Sequence, residues 1–575
     1  MAQFLQFLQV AAAETAPLAK NCAILFDEMS VDTRLCYDQQ RDVIVGPHKQ
    51  AQVIMVRSIC GAWKQPVYVA FDTAISPEIL MQLILSLEEM GYPVRAVVSD
   101  MGSKNVGLWR ALGVSYDGET SIANPAAADR RVWFFADVPH CLKNLRNHIL
   151  DDGLYLGCGG DRGDPVVDSD LMEELAREVS ATEFTVNRKL TALHVHAAKG
   201  DRQRVYLAAQ LLSETVAKSI PEVFEGQEKA AEVINIIDSG FDVLNSRRRY
   251  ADKPLRCGLG VHLTEQLAAL RKLEELLLTA RFGSRKTLLP FQQGFLLSIR
   301  STLALYKEME KVDGFQFLQT ALLNQDALES LFSSCGTEDE FVVPIFSGYD
   351  ATTISSTTIA PSVDQLSAAT PPEPAVPVEL LEEIGVPPNG AETETSQAIS
   401  EYGMQYAAGF VAAKRAKVDP TLGTRTCDMA EEDVPSGARW IYLLSRGHLT
   451  VPSEQWLENF KEFEVVFCAI HRGQGMARRN GTLDQLSRAP GVVKTLSDTL
   501  CLRWPRLDER VISLYARLRT FIRLRHVAKV RRGDHLAALA EAAARRSEKP
   551  TPTPVVGTRR QFVKARQFAR GAVYL

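Results

Sequence analysis

Several acidic residues of this chain stand where a hydrophobic run stops. Asp27 follows Ala-Ile-Leu-Phe, Asp100 follows Ala-Val-Val-Ser, and Asp326 and Glu329 share one helical turn in Asn-Gln-Asp-Ala-Leu-Glu. A carboxylate at the end of a buried strand carries a desolvation cost unless a cation neutralises it. Divalent magnesium or manganese, which prefer hard oxygen ligands, would do so, and a pair of such ions suits phosphodiester cleavage. The plain alternative for Asp27 is a turn or cap acid after a strand. Asp326 is read either as support for the site or as a charge at a helix N-terminus. Asp137 also ends a run, but Val138-Pro139-His140 reads as a helix start, so it ranks below the others as a ligand. His140 reads as a structural or substrate-contacting side chain. His194 and His196 alternate without a further Cys or His nearby, and read as solvated or nucleotide-side positions.

The elements that must position these acids follow from periodicity. Three extended runs, Cys22 to Met29, Gln52 to Ser58 and Pro66 to Phe71, read as a meander of strands. Ser76-Pro77-Glu78 opens a helix with Ile79, Leu80, Leu83, Ile84 and Leu87 on one face, and Gly91 closes it. A fourth strand, Val94 to Ser99, ends at Asp100. A helical stretch around Leu108 to Leu112 and a fifth strand, Val132 to Ala136, follow, then a helix from Pro139 through Ile149. This is the strand and helix order of the RNase H-like fold. In nucleases of that fold a third acid arrives on a later helix. Here 229 positions separate Asp100 from Glu329, so an insertion must lie between them.

At 575 residues the chain holds about three or four domains. The expected fold class is α/β: an RNase H-like catalytic domain interrupted by a mainly α-helical insertion and followed by a mainly α-helical C-terminal region. The boundaries read as a helical lead at 1–19, the first part of the catalytic domain at 20–175 and the insertion at 176–315, with Arg202 to Ser219 and Leu263 to Leu278 as long helices. The last catalytic helix follows at 316–345, a Ser-, Thr- and Pro-rich linker at 346–378 and the C-terminal region at 379–575. No apolar run reaches the roughly 18–20 residues of a membrane span, and the N-terminus lacks the basic region of a secretion signal. Ten cysteines without a Cys-x-x-Cys pair argue for reduced thiols and against a zinc finger.

The net charge of −5 hides an asymmetry: from Cys501 onward there are 18 Lys and Arg against 5 Asp and Glu. Such a block favours a polyanionic partner, nucleic acid first. Within it Arg517, Arg519, Arg523 and Arg525 alternate with Tyr515, Leu518, Phe521, Ile522 and Leu524, which fits either the wet face of an amphipathic helix or a phosphate-tracking face.

Six motifs in order carry a resemblance: Phe26-Asp27-Glu28-Met29, Val98-Ser99-Asp100, Asp137-Val-Pro-His140-Cys-Leu-Lys143-Asn144, Phe241-Asp242-Val-Leu-Asn245-Ser246-Arg247, Leu323-Asn-Gln-Asp326-Ala-Leu-Glu329 and Leu449-Thr-Val-Pro-Ser453. Together the chain resembles the P-element-like transposases, whose full-length members often begin with a zinc-binding THAP domain. The resemblance covers about 20–335 and 400–530.

What it implies is cut-and-paste transposition: metal-dependent DNA cleavage and strand transfer by an RNase H-like domain, with GTP as an organising cofactor bound in the insertion. Asp27, Asp100 and Glu329 fall on the family's catalytic, metal-holding acids; Asp27 would bridge two magnesium or manganese ions, with Asp100 on one and Glu329 on the other. GTP is expected without a P-loop, and no Gly-x-x-x-x-Gly-Lys-Ser/Thr occurs. Asp242, Asn245 and Ser246 would read guanine, and Lys189, with Asn187 and Arg204 near it, would serve the phosphates. The implied partners are transposon-end and target DNA, GTP and further copies of the chain, in a nuclear setting.

Three departures accompany the resemblance. The chain starts almost at the first catalytic strand, so the zinc-binding DNA module and its coiled coil are expected to be absent. Leu322 replaces a basic residue, and Ser333-Ser-Cys-Gly-Thr-Glu-Asp339 replaces an Arg- and Gly-rich continuation. They motivate a second reading: a domesticated, catalytically impaired DNA- or GTP-binding protein.

Overall fold

The computed structural model describes residues 8–526 apart from 32–34, 39–42, 158–163, 182, 186, 197–199, 336–393, 436–437, 446–447 and 473–491. The expected linker and the basic tail beyond His526 lie outside the described residues. Met1–Leu524 forms one compact unit, considered below, and Arg525–Leu575 a second.

The first quarter of the chain runs β1 (Cys22–Ser30), a small hairpin of β2 (Cys36–Asp38) and β3 (Val43–Val45), β4 (Gln50–Ser58), β5 (Lys64–Phe71), α1 (Pro77–Glu89), β6 (Val94–Ser99), α2 (Ser103–Ala111), β7 (Ser121–Asn124), β8 (Ala127–Ala136) and α3 (Val138–Asp152). The principal sheet has six strands in the order β5-β4-β1-β6-β8-β7. β1 pairs antiparallel with β4 and parallel with β6, and β6 pairs parallel with β8, which sets Leu25 beside Val98 and Ser99 beside Ala136. Every residue of β6 is buried, as in a parallel strand covered on both faces, and its one charged side chain, Arg95, is paired with Glu308. Asp100 and Asp137 leave β6 and β8 at the same end of the sheet to which Asp27 points along β1. This is the RNase H-like order expected, with β7 added at the edge.

Local chemistry sets the helix starts. The Ser76 hydroxyl accepts from the Ile79 amide, Pro77 occupies the first turn, and Leu80, Leu83, Ile84 and Leu87 pack inward from α1. Asp137 plays the same part for α3, one carboxylate oxygen accepting from the His140 amide at 3.0 Å.

Beyond α3, short strand β9 (Leu154–Leu156) pairs with β10 (Ala280–Phe282) around helices α4 (Ser169–Ala181), α5 (Val205–Leu211), α6 (Glu214–Val223), α7 (Glu228–Leu244) and α8 (Leu263–Thr279). The single helix read over Arg202 to Ser219 is two, because the Ser213 hydroxyl accepts from Val216 N and starts α6 afresh. Helix α9 (Pro290–Met309), which falls inside the range read as the insertion, lies against the catalytic sheet. The Ser298 hydroxyl meets both the amide and the carbonyl of Ala136, at 3.0 and 3.2 Å, and Glu308 binds Arg95 at 2.7 Å and the Trp133 indole at 2.8 Å. Gly294 allows this approach: a methyl there would stand 2.9 Å from Ala136 Cβ and from Cys141 Sγ. Helix α10 (Asp326–Cys335) then returns to β1.

The C-terminal region is mainly helical: α11 (Glu394–Arg415), α12 (Arg439–Leu444), α13 (Glu454–Arg472), α14 (Val492–Arg503) and a last helix α15 over 509–526, with a two-stranded ribbon of β11 (Gly423–Arg425) and β12 (Thr450–Pro452). Trp456, Phe460, Phe463, Leu500 and Tyr515 form its own core, which Phe184 from the insertion joins. No described helix is long and apolar enough to cross a membrane.

Candidate active site

Asp27 lies within β1, three residues before its end and opposite Val53 of β4. One carboxylate oxygen accepts from Glu28 N at 2.8 Å, and its carbonyl accepts from the Gln52 amide side chain at 3.0 Å. Burial pushes its carboxyl up to about 6; the Glu28 amide opposes this, the negative charges of Asp100 and Glu329 add to it, and the Lys143 ammonium offsets part. Asp27 therefore feels both of the other predicted acids.

Asp100 is oriented by its own loop. Oδ1 accepts from Gly102 N at 2.9 Å and from Asn105 Nδ2 at 2.6 Å, while Oδ2 lies 3.9 Å from His140 Nδ1. Burial lowers the His140 imidazole to about 4, with Lys143 pushing the same way and Asp100 against, so it is neutral near neutral pH. Glu329 is exposed on the first turn of α10.

Asp137, read as the weaker ligand candidate, is 2% exposed, and backbone amides occupy both of its carboxylate oxygens: His140 N on one and Gln325 N, at 2.9 Å, on the other. Burial pushes it up to about 7, the Gln325 amide opposing and Glu329 reinforcing. Asp326 turns to the insertion, where Oδ2 pairs with Arg247 at 2.7 Å.

Sequence reasoning overlooked Lys143. It is buried, and its charge acts on Asp27, His140 and Cys141. The signal was present: positions 140 and 143 lie one turn apart on α3, just after the acid that caps it. The donor set of three carboxylates is hard oxygen, and a divalent cation would relieve the burial that, with the charges of Asp100 and Glu329, disfavours a bare carboxylate at Asp27. Among the described residues, however, no three His, Cys, Asp or Glu side chains are gathered as a finished metal cage.

The expected guanine-reading residues divide. Asp242 is 5% exposed near the end of α7, one oxygen accepting from Arg256 Nε at 2.7 Å and the other from Lys253 Nζ at 2.8 Å. Asp242 thus lies in a charged cluster where Lys253 also binds Asp238 and Glu214, at 2.7 and 2.9 Å. Asn245 and Ser246 instead lie against the segment leading to α10. Ser246 N donates to Thr320 Oγ1 at 2.9 Å, and Asn324 Nδ2 reaches Asn245 Oδ1 at 3.4 Å. Lys189 is exposed, while Asn187 is buried and donates to the Ser219 hydroxyl. His194 is a structural histidine, its Nε2 2.9 Å from Gln210 Oε1.

The arginines of α15 also divide. Arg517 is exposed, as a phosphate-facing position requires. Arg519 is 2% exposed, bonded to Glu464 at 2.6 Å and Glu183 at 2.7 Å and lying 3.9 Å over the Phe467 ring; Arg523 meets Glu183 at 2.9 Å. These two fasten α15 to the rest of the fold and are not on its wet face.

Comparison with known proteins places the geometry in context. A family model described as "TNP-like, RNase H N-terminal domain" matches residues 1–113, and one described as "TNP-like, GTP-binding insertion domain" matches residues 139–256. The Transposable element P transposase of Drosophila melanogaster is 27% identical over 546 residues, spanning 89% of this chain and 68% of that protein. The DNA transposase THAP9 of Homo sapiens is 24% identical over 364 residues, spanning 56% of this chain and 39% of that protein. Among solved structures, the Drosophila P element transposase strand transfer complex matches with a TM-score of 0.54 and 29% identity, covering 58% of this chain and 75% of that one.

Proposed function

The chain belongs to the P-element-like transposase family, and on that premise we propose that it cuts DNA at transposon ends and joins the freed end to target DNA, with Asp27, Asp100 and Glu329 as its catalytic acids. The observation that carries this reading is that Asp27 on β1 and Asp100 just past the neighbouring parallel strand β6 lie at one end of the sheet, where Gln325, at the start of the helix bearing Glu329, donates to the Phe26 carbonyl at 2.6 Å. These three residues would hold magnesium or manganese, which when bound supplies a polarised water and neutralises charge at the phosphate. Gly102 and Asn105 fix the Asp100 carboxylate, Glu28 N fixes that of Asp27, and Lys143 limits repulsion among the acids. His140, neutral and beside Asp100, is placed to contact the substrate strand.

In this reading GTP binds the insertion as an organising ligand. Asn245 and Ser246 border it, and Arg256, whose side chain is 54% exposed, is the partner a guanine edge would replace on Asp242. Lys189 serves the phosphates. The protein works on nuclear DNA, as an assembly of copies able to hold two ends.

The test is cleavage of DNA bearing the element's own terminal repeats with magnesium or manganese. Asp27→Asn should abolish cutting while the protein stays folded, since burial already disfavours the charged carboxylate. Undiminished cutting by this variant would sink the assignment. One observation favours the second reading, a domesticated DNA- or GTP-binding protein: Glu329 is exposed and no metal cage is preassembled among the described residues. Calorimetry separates the two, because GTP binding without any magnesium or manganese binding would favour the second.

A further inference from the structure

We infer that Asp137 and Gln325 are positioning residues for DNA cleavage: they fasten the helix that bears Glu329 onto the strand that bears Asp27. The inference rests on the proposed role of the acids and adds two residues that do not touch the reacting atoms.

All the hydrogen-bonding capacity of Gln325 that the structure records is spent on this junction. Its backbone amide donates to Asp137 Oδ1 at 2.9 Å, and its side-chain amide donates to the Phe26 carbonyl at 2.6 Å. Its own carbonyl accepts from Leu328 N at 2.9 Å and Glu329 N at 3.0 Å, which starts α10. One residue therefore joins strand, cap and helix. The Phe26 carbonyl belongs to the peptide unit whose nitrogen is that of Asp27, so a shift of one moves the other. The parallel ladder of β1 with β6 ends at Leu25 and Val98, and Gln325 takes hold of β1 just past that last rung.

Asp137 is the fixed point. Its second oxygen caps α3, the helix that carries His140 and Lys143, at 3.0 Å. A single carboxylate thus sets α3 and α10 relative to each other, across 188 positions of sequence. Both residues are 2% exposed, so water cannot replace a lost partner cheaply. Supports of this kind typically change metal affinity or activity by about 10–100-fold when removed.

The experiment compares the full chain with Gln325→Met, which keeps length and loses the donor, and Asp137→Asn, which keeps a cap acceptor but sets an NH2 against one of the two amides. Cleavage of terminal-repeat DNA is measured against manganese concentration, with thermal melting and GTP binding as controls on folding. The expected result is a loss of maximal rate of about 10–100-fold or a comparable rise in the manganese needed for half-maximal rate, with GTP affinity unchanged. Wild-type rate and manganese dependence in the folded fraction of both variants would overturn the inference. Asp27→Asn is run in parallel: an active Asp27→Asn defeats the proposed function itself, whereas an inactive one beside unaffected Gln325→Met and Asp137→Asn defeats only the positioning role. If Gln325→Met fails to fold, Asp137→Asn decides by the same two readouts.

Discussion

Arg247 and Asp326 form a 2.7 Å ion pair across 79 positions of sequence, tying the loop after α7 to the first turn of α10. The same two stretches meet again at Ser246 with Thr320 and at Asn245 with Asn324. Whatever binds beside Asn245 and Ser246 is therefore mechanically adjacent to the helix that presents Glu329.

The pair itself is solvated, with side chains 65% and 36% exposed, so it contributes less than about 1 kcal/mol to folding. Arg247→Ala should leave the melting temperature nearly unchanged. It should weaken the effect of GTP on DNA cleavage, measured as the ratio of rates with and without saturating GTP. Retention of the full ratio would show that this pair carries no coupling.

Lys253 is shared among Asp238, Asp242 and Glu214, and the last of these gives the cluster a pH signature. Burial alone would raise the Glu214 carboxyl, but Lys218 and Lys253 outweigh it and bring it down to about 2 from 4.5. A carboxylate lowered by folding stabilises the native state above its unfolded value and ceases to do so as pH falls through the folded one. The contribution should be complete above pH 5 and fade between about 4.5 and 2. Discounted for partial exposure, Glu214→Gln should cost about 1–2 kcal/mol at pH 7 and much less at pH 3, read from denaturant melts at both.

On α15 neighbouring arginines should behave differently. Arg519→Ala leaves Glu464 and Glu183 buried without their main cation, and a broken buried pair of this kind costs about 3–5 kcal/mol. Arg517→Ala removes an exposed charge and should not change stability measurably. If α15 follows a phosphate backbone, Arg517→Ala should weaken DNA binding and reduce its salt slope by about 1. Titration of each variant with DNA at several salt concentrations, beside a thermal melt, checks both halves.

The strands were legible because burial on both faces keeps their side chains mostly apolar: Val94 to Ser99, apolar but for Arg95 and its last residue, appears in the structure with the bounds its sequence announces. β7 escaped because a short edge strand, Ser121–Asn124, needs little apolar character. Helix α9 has clear periodicity, but periodicity says that a face is buried and not against what; its sheet contacts depend on Gly294 and Ser298, small residues with no pattern of their own. The cap role of Asp137 was half visible in the proline that follows it, while its hold on Gln325 lay in a distant segment. Arg519 and Arg517 look alike in sequence, and what distinguishes them is Glu183, 336 positions earlier. For Asp242, the enclosing Lys253 and Arg256 come only 11 and 14 residues later, yet a helix end and a loop gave no reason to pair them.

The reach from Phe26 to Gln325, 299 positions, also sets a schedule. At roughly 5–20 residues per second, a ribosome releases Asp27 some 15–60 s before the segment that docks beside it. The pairing of β1 with β4 and β6, and of β6 with β8, lies wholly within residues made in that interval, while Phe26, Asp137 and Arg247 wait for their partners at Gln325 and Asp326. A chain whose synthesis stops before α10 carries Asp27 and Asp100 without Glu329, so the proposed site is closed by a segment made long after its first strand.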